Sequence, residues 1–348
     1  MEHLLSKHPM LDAHFPHKCV RDYYLRYVED ADQFNIATGF ISNDSIVGLS
    51  DLLHYRYEHD KKMKLNLLIG MNYLDRFTKI QYDAIKNLNA YLQDKQLGDI
   101  YISDRTYFHG KMYSFLKNGK CEAAFIGSSN LASFMGTSND MIESDVFFNG
   151  NEAVLLNKRI ETIIKAIGTN FDDIQEITDF QQPTFNLLND VSYVSKLSNS
   201  EVELLWKKVS GKKIEIPFKV GKKYEKSNLN PYFGKGKNKN KFNPRSWYEV
   251  ELILSKNLPY RDDIPQNFIA ITEDGYKFVC ERQGDYLKNF RSAQDLKILG
   301  KWIKGHMEAE GCLQLREKVT SETLEKFGKT KLCLYPVPEE NCWILKME

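Results

Sequence analysis

Phe108 to Glu143 reads F-H-G-K-M-Y-S-F-L-K-N-G-K-C-E-A-A-F-I-G-S-S-N-L-A-S-F-M-G-T-S-N-D-M-I-E, and the order of its parts decides the fold. His109 and Lys111 are two residues apart, a spacing that puts both side chains on one face of a strand. Ala123-Ala124-Phe125-Ile126 is an apolar run that reads as a buried strand, and it leads into Gly127-Ser128-Ser129-Asn130. That small-residue turn offers two hydroxyls, an amide and backbone N–H groups. Thirteen residues after Asn130, Glu143 opens a further strand pattern, Asp145-Val146-Phe147-Phe148. Each residue type has work to do at a phosphate. A neutral imidazole can attack phosphorus while a carboxylate holds its other nitrogen. A Lys ammonium neutralises non-bridging oxygens as a point charge, and Ser and Asn donate hydrogen bonds to the same oxygens.

His-x-Lys, then Gly-Ser-x-Asn, then a downstream Glu resembles the signature of the phospholipase D superfamily. The resemblance implies that His109 is the nucleophile, that Lys111, Ser128 and Asn130 bind phosphate, and that Glu143 orients His109. The long form of that signature has an Asp five residues after the Lys, where this chain has Leu116.

Outward from this stretch, strands and helices alternate. Phe34 to Ser42 reads as a buried strand, and Asn43 or Asp44 is placed to cap a helix carrying Ile46, Val47, Leu49, Leu52 and Leu53. Lys64 to Gly70 is the next strand, Ile80, Ile85, Leu88 and Leu92 mark a helix, and Asp99 to Ile102 is a short strand. Glu152 to Ile167 closes the pattern as a helix. This rhythm predicts an α/β domain over residues 1–178, a phospholipase D-like mixed or largely parallel sheet with helices on both faces.

Several classes are excluded by composition. With 42% hydrophobic and 27% charged residues among 348, the chain has ordinary globular proportions. No apolar run approaches the ~18 residues of a membrane span. Glu2, His3, Lys7, His8 and Asp12 leave no apolar leader core near the start. The six cysteines are scattered without a Cys-x-x-Cys, which suits reduced thiols in a cytoplasm. His3, His8, His14 and His17 read as a solvated or lightly packed arm rather than as metal ligands. No metal and no cofactor is expected.

Residues 179–200 hold turn and linker chemistry, Gln181-Gln182-Pro183-Thr184 and Ser198-Asn199-Ser200 among it. Beyond it the charge shifts. Lys207 to Arg245 carries thirteen Lys or Arg against two acids, net +11, which leaves the rest of the chain at −10. Gly234 to Lys241 alternates Lys with Gly and Asn and cannot build a core. Flanked by Tyr232, Phe233 and Phe242, it suits a polyanion backbone. Residues 201–348 otherwise read as mostly β. Trp247 to Leu254 alternates like a half-buried strand, and Phe268–Ile271 and Tyr276–Cys280 flank Asp274-Gly275, a hairpin signal. Ser292 is placed to cap a helix with Leu296, Leu299, Ile303 and Met307 on one face. Ser321 to Phe327 reads as a short helix, and Lys331 to Tyr335 as the last strand.

This second half resembles the DNA-binding pseudobarrel of plant B-three-type transcription factors and some restriction endonucleases. The residues that carry it are Asp274-Gly275, Phe278 to Arg282, and Ser292-Ala293-Gln294-Asp295-Leu296 through Trp302. Those families read the major groove with two arms. By position the arms here are Lys219 to Lys237, which includes Lys222, Lys223, Lys235 and Lys237, and Arg282 to Arg291, which includes Gln283, Lys288 and Asn289. These side chains have the donors that base edges and phosphates need.

Together the halves resemble the phospholipase-D-type restriction endonucleases, the family of the neisserial NgoFVII enzyme, over nearly the whole chain. The resemblance implies metal-free cleavage of double-stranded DNA at a short specific sequence through a phosphohistidine, in a bacterial restriction–modification system. It also implies a homodimer through the nuclease domain, because a chain with one His-x-Lys motif lacks its own second imidazole. Some members of the family work with a separate helicase-type ATPase. Two other readings are a phosphatidyltransferase or lipase on the same fold, and a non-catalytic DNA-binding regulator. The basic polar module and the lack of an interfacial apolar helix weigh against the first. The complete His109, Lys111, Asn130 and Glu143 set weighs against the second.

Overall fold

In the computed structural model, residues 1–6, 9–14, 16–73, 75–134, 141–181, 187–189, 191–234 and 245–348 are described. The chain divides into two compact units, Met1–Pro183 and Thr184–Glu348.

The first unit is built on a mixed eight-stranded sheet. Its strands are β1 (Glu2–Leu5), β2 (Gln33–Thr38), β3 (Lys64–Ile69), β4 (Gly98–Ile102), β5 (Lys111–Lys117), β6 (Lys120–Gly127), β7 (Ser144–Phe148) and β8 (Thr169–Asn170). They lie in the order β1-β7-β6-β5-β2-β3-β4-β8. β2, β3 and β4 are mutually parallel, as the helices between them demand. The remaining pairs are antiparallel. The helices are α1 (Pro9–His14), α2 (Val20–Val28), α3 (Asn43–Glu58), α4 (Lys79–Lys95), α5 (Leu131–Phe134) and α6 (Gly150–Ile167).

Side-chain alternation gives the sheet two different faces. Ala153, Leu156, Ile160 and Ile164 of α6 pack against Ala37, Leu68, Met112, Leu116 and Ala124 on one of them. A polar knot is sealed beneath that helix. Asn157 Oδ1 accepts from Asn35 Nδ2 at 2.9 Å and from Ser114 Oγ at 2.7 Å. On the other face Phe34 and Phe115 stack at 4.3 Å, and Tyr24 of α2 stacks on Phe134 of α5 at 5.0 Å. Phe34, Phe115, Phe125, Phe134 and Phe147 are all fully buried, and each contributes about 2 kcal/mol by leaving water.

Local corrections to the sequence reading have local causes. β2 ends at Thr38, and the cap of α3 is Ser42, whose Oγ accepts from Ser45 N at 3.3 Å. Glu2–Leu5 is not part of a solvated or lightly packed arm. β1 pairs antiparallel with β7, and this strand carries His3. His14 ends α1, and His8 lies outside the described residues.

The second unit carries β9 (Ser195–Lys196), β10 (Ile214–Pro217), β11 (Leu252–Ile253), β12 (Asn267–Thr272), β13 (Tyr276–Gln283), β14 (Asn289–Ser292), β15 (Lys331–Val337) and β16 (Cys342–Met347). The sheet runs β10-β15-β16-β12-β13-β14-β11, with β9 beside β13. It is mostly β and nearly closed, barrel-like. Its helices are α7 (Asn199–Lys207), α8 (Lys297–Ala309) and α9 (Ser321–Phe327). Ile298, Leu299, Trp302, Ile303 and Met307 of α8 are wholly buried. The Asp274-Gly275 hairpin joins β12 to β13 in antiparallel register, and α9 ends at Gly328 with φ +67°.

Three readings change here. The stretch 247–254 has regular pairing only at β11, because Trp247 and Tyr248 are both buried and both donate to Glu308, at 2.8 and 2.7 Å. Ser292 does not cap α8 directly. Its Oγ braces the approach by accepting from Leu299 N at 3.2 Å. The last strand is β16, not β15, and it pairs parallel with β12.

Candidate active site

β5 starts at Lys111, so His109 does not sit on the strand but on the segment that enters it. The ladder with β2 nevertheless continues one step further, since Gly39 N donates to Gly110 O at 2.8 Å. Gly39 also makes room for the segment, because a Cβ there would stand 2.7 Å from His109 Cα. His109 is exposed and lies face to face with Tyr107, ring centroids 5.7 Å apart.

Lys111 is buried, and its Nζ donates to His109 O at 2.9 Å and lies 3.3 Å from His109 Nε2. Two results follow. An ammonium beside Nε2 makes that nitrogen the acceptor, so the neutral ring carries its proton on Nδ1. Burial also pulls the Lys111 pKa below the ordinary lysine value, and the charge of Glu143 opposes the shift.

Glu143, itself buried, directly precedes β7. Its backbone is clamped on both sides by Ser6, whose Oγ accepts from Glu143 N at 2.9 Å and whose N donates to Glu143 O at 3.0 Å. No hydrogen bond joins Glu143 to His109 among the described residues. Glu143 reaches the site through its field at Lys111, Tyr113 and Asp145.

Ser128 is exposed at the end of β6. Its N donates to Ser144 O at 3.0 Å, and its Oγ accepts from Ser144 N at 2.9 Å. Asn130 precedes α5 with a buried Oδ1 that has no partner among the described residues. The sequence reading missed three residues here. Ser129 and Asp145 are both wholly buried and bonded to each other, and His3 Nε2 lies 2.8 Å from Ser144 Oγ. Asp145 was legible only as a polar residue in an apolar strand run, and His3 only once β1 is placed beside β7.

Residues 21–179 match the NgoFVII restriction endonuclease N-terminal PLD domain, and residues 204–338 match the NgoFVII C-terminal B3-like DNA-binding domain. The chain belongs to the NgoFVII restriction endonuclease family. No curated protein matches it. Three solved structures are similar in part. TrmBL2, an archaeal chromatin protein, is 18% identical over 41% of this chain and 47% of its own, with a TM-score of 0.27. Nuc from Salmonella typhimurium, a phospholipase D family member, is 13% identical over 49% of this chain and 97% of its own, at 0.33. Phosphatidylserine synthase of Haemophilus influenzae Rd KW20 is 11% identical over 52% and 43%, at 0.34. The chain spans about half the length of the first of these.

In the B3-like unit of this NgoFVII-family chain the arm residues divide. Lys222 and Lys223 are exposed on a single helical turn, and Gln283 and Lys288 are exposed as well. Asn289 is half-buried. Lys235 and Lys237 lie outside the described residues. Arg282 and Arg291 are turned to internal partners. Arg282 is 6% exposed and donates from Nη1 to Arg261 O at 3.0 Å, with its Nε buried and unpaired. Arg291 Nε donates to Glu281 at 2.9 Å, and its Nη1 lies 3.5 Å from Glu251. Gln283 shares Glu281, donating at 2.8 Å. Between them Tyr286 is 77% exposed at φ +57°, its carbonyl held by Arg261 Nη2.

One group of metal-capable side chains occurs among the described residues, Glu215, Cys333 and Glu348 in this unit. Lys213 and Lys331 already neutralise its carboxylates. Burial first, then Glu348, pushes the Cys333 thiol up to about 12. The arrangement is that of an ion-pair knot rather than a thiolate metal site. No helix of the described residues is long and apolar enough to cross a membrane.

Proposed function

We propose that this chain hydrolyses phosphodiester bonds of double-stranded DNA at or near a short specific sequence, through a phosphohistidine on His109 and without metal. The observation that carries the reading is the Lys111 ammonium 3.3 Å from His109 Nε2. An imidazole nitrogen and a buried positive charge this close support the reading, because a phosphate would meet both together.

The chemistry balances as two displacements. Nε2 of His109 forms a bond to phosphorus as the bond to one sugar oxygen breaks, and that oxygen takes a proton from a second, protonated imidazole on the far side. Water then attacks phosphorus, giving a proton back to the second imidazole, and the P–N bond breaks to restore His109. Lys111, Ser128 and Asn130 hold the non-bridging oxygens throughout. Glu143 orients His109 once substrate tightens the site.

The second imidazole is His109 of another copy, so the working form is a homodimer with one composite site. The B3-like unit supplies the sequence reading, with residues 179–200 as the joint between the domains. The setting is a bacterial cytoplasm and a restriction–modification system, with a separate helicase-type ATPase as a partner in such systems. A phosphatidyltransferase or lipase on the same fold is the weaker reading, because a family-matched DNA-binding domain fills the second half.

Plasmid cleavage in excess chelator tests the chemistry. Full activity is expected for the wild-type chain, none for His109→Ala, and equal DNA binding by both. Activity that vanishes with chelator and returns with Mg²⁺ would defeat the metal-free route. Heterodimers of wild-type and His109→Ala chains, purified by two tags, are expected to be inactive. Half the wild-type rate would mean one complete site per chain.

A further inference from the structure

We propose that Asp145 is the positioning residue of the phosphate-facing turn, acting through Ser129 to fix its neighbours Ser128 and Asn130. The inference rests on the functional reading above and extends it to a residue that never touches substrate.

Asp145 is on β7, opposite Gly127 in the ladder, and is wholly buried. Both of its oxygens are taken by one residue of the turn. Ser129 Oγ donates to Oδ2 at 2.5 Å, and Ser129 N donates to Oδ1 at 3.3 Å. A third bond holds the same residue from the β5 side, where Tyr113 OH donates to Ser129 O at 2.8 Å. The close fit uses the missing side chain of Gly127, whose Cβ would stand 2.3 Å from Asp145 Oδ1.

Ser129 is therefore tied at its N, its Oγ and its O, and its two neighbours in sequence are the proposed phosphate ligands. A Gly-Ser-Ser-Asn turn has little stiffness of its own. Among the described residues no side-chain hydrogen bond places Asn130, and its Oδ1 is buried without a partner. Ser128 also has its own two bonds to Ser144, and Asn130 depends on the backbone that Ser129 pins.

The arrangement is costly, which is why it points to a task. A buried carboxylate without a bonded cation is penalised by lost hydration. Burial pushes the Asp145 carboxyl up, the bonds from Ser129 oppose that, and the charge of Glu143 adds to it. An apolar pair would hold two strands together at less cost. Reaction geometry, by contrast, needs its groups held within about half an ångström.

The test uses the full-length wild-type protein, Asp145→Asn and Ser129→Ala, with a supercoiled plasmid under single-turnover conditions and saturating protein. Each variant is expected to cut about 100-fold more slowly, the loss typical of misplacement by about 1 Å. DNA affinity by gel shift should stay within about twofold, since the other unit supplies it. The double variant should be no slower than either single, because both break one link. Melting curves report the folded fraction, and rates are referred to it. A role in stability alone would lower melting and leave the rate per folded molecule unchanged, and that result overturns the proposal. If Asp145→Asn does not fold, Ser129→Ala decides by itself, and a wild-type rate for it is equally fatal. A wild-type protein that leaves the plasmid intact removes the nuclease reading and this inference with it. A wild-type protein that cuts beside variants that cut equally removes this inference only.

Discussion

Arg282 shows how a residue's job depends on where its side chain ends. By type and position it reads as a base-reading arginine, but its guanidinium is buried and braces the Arg261 carbonyl. Arg261 in turn holds the carbonyl of Tyr286. Arg282→Ala is thus expected to lower the melting temperature of the B3-like unit and to weaken specific and non-specific duplexes alike. A specificity change at unaltered stability would reinstate it as a base reader. Lys222 and Lys223 are the contrast, exposed and without an ion pair among the described residues. Replacing either by Ala should leave melting unchanged and reduce the salt slope of DNA binding by roughly 1 each, as a lost phosphate contact does. Salt titrations of binding by the single variants measure this directly.

At the scale of the element, β1 matters more than its four residues suggest. It covers the edge of β7, and the next residue, Ser6, holds the backbone of Glu143 from both sides. Ser6→Ala leaves the buried Glu143 N–H unpaired, at a cost of about 1–3 kcal/mol. It should slow cleavage about tenfold while leaving DNA affinity alone. Cleavage and gel-shift assays on the same preparation separate the two effects, and equal cleavage by wild type and variant would show that Glu143 needs no clamp. α8 offers a second case. Its Lys304 is wholly buried, donates to Trp247 O at 2.6 Å and lies 4.1 Å from the Trp247 ring centroid. Burial brings its pKa down to about 7, against the pull of Glu308 and Glu249. The folded state then binds the proton less well than the unfolded chain does. Lys304 therefore makes stability rise with pH from about 7 to about 10 and contributes no slope below 7, at up to about 1.4 kcal/mol per pH unit. Lys304→Met should remove that rise. Chemical denaturation of both proteins at pH 7 and pH 9.5 is the measurement, and parallel behaviour would mean the buried amine keeps its proton.

On the scale of the whole molecule, the two units are chemically unlike, and the chain's near-zero net charge conceals it. The family match assigns one to each domain of the NgoFVII enzymes. Thr184–Glu348 has its own core around α8, so a fragment of that extent is expected to fold, bind DNA and leave it uncut. Calorimetry and a gel shift with a nicking assay check the three statements. A fragment that fails to melt cooperatively would show that the second unit depends on the first.

What the sequence determined by itself is what short-range order encodes. The β-α-β rhythm, the hairpin at Asp274-Gly275 and the helix closed by Gly328 all follow from periodicity and turn chemistry within a few residues. What only the tertiary structure decided involves partners far apart in the chain. Ser6 and Glu143 are 137 residues apart, and Arg282 finds its acceptor 21 residues back. The final strand β16 stayed illegible because its place beside β12 is set by a parallel pairing of distant segments. Asp145 and Ser129 each look incidental in the sequence. Bringing them together depends on the β6–β7 register, and register is fixed by which faces the whole sheet buries.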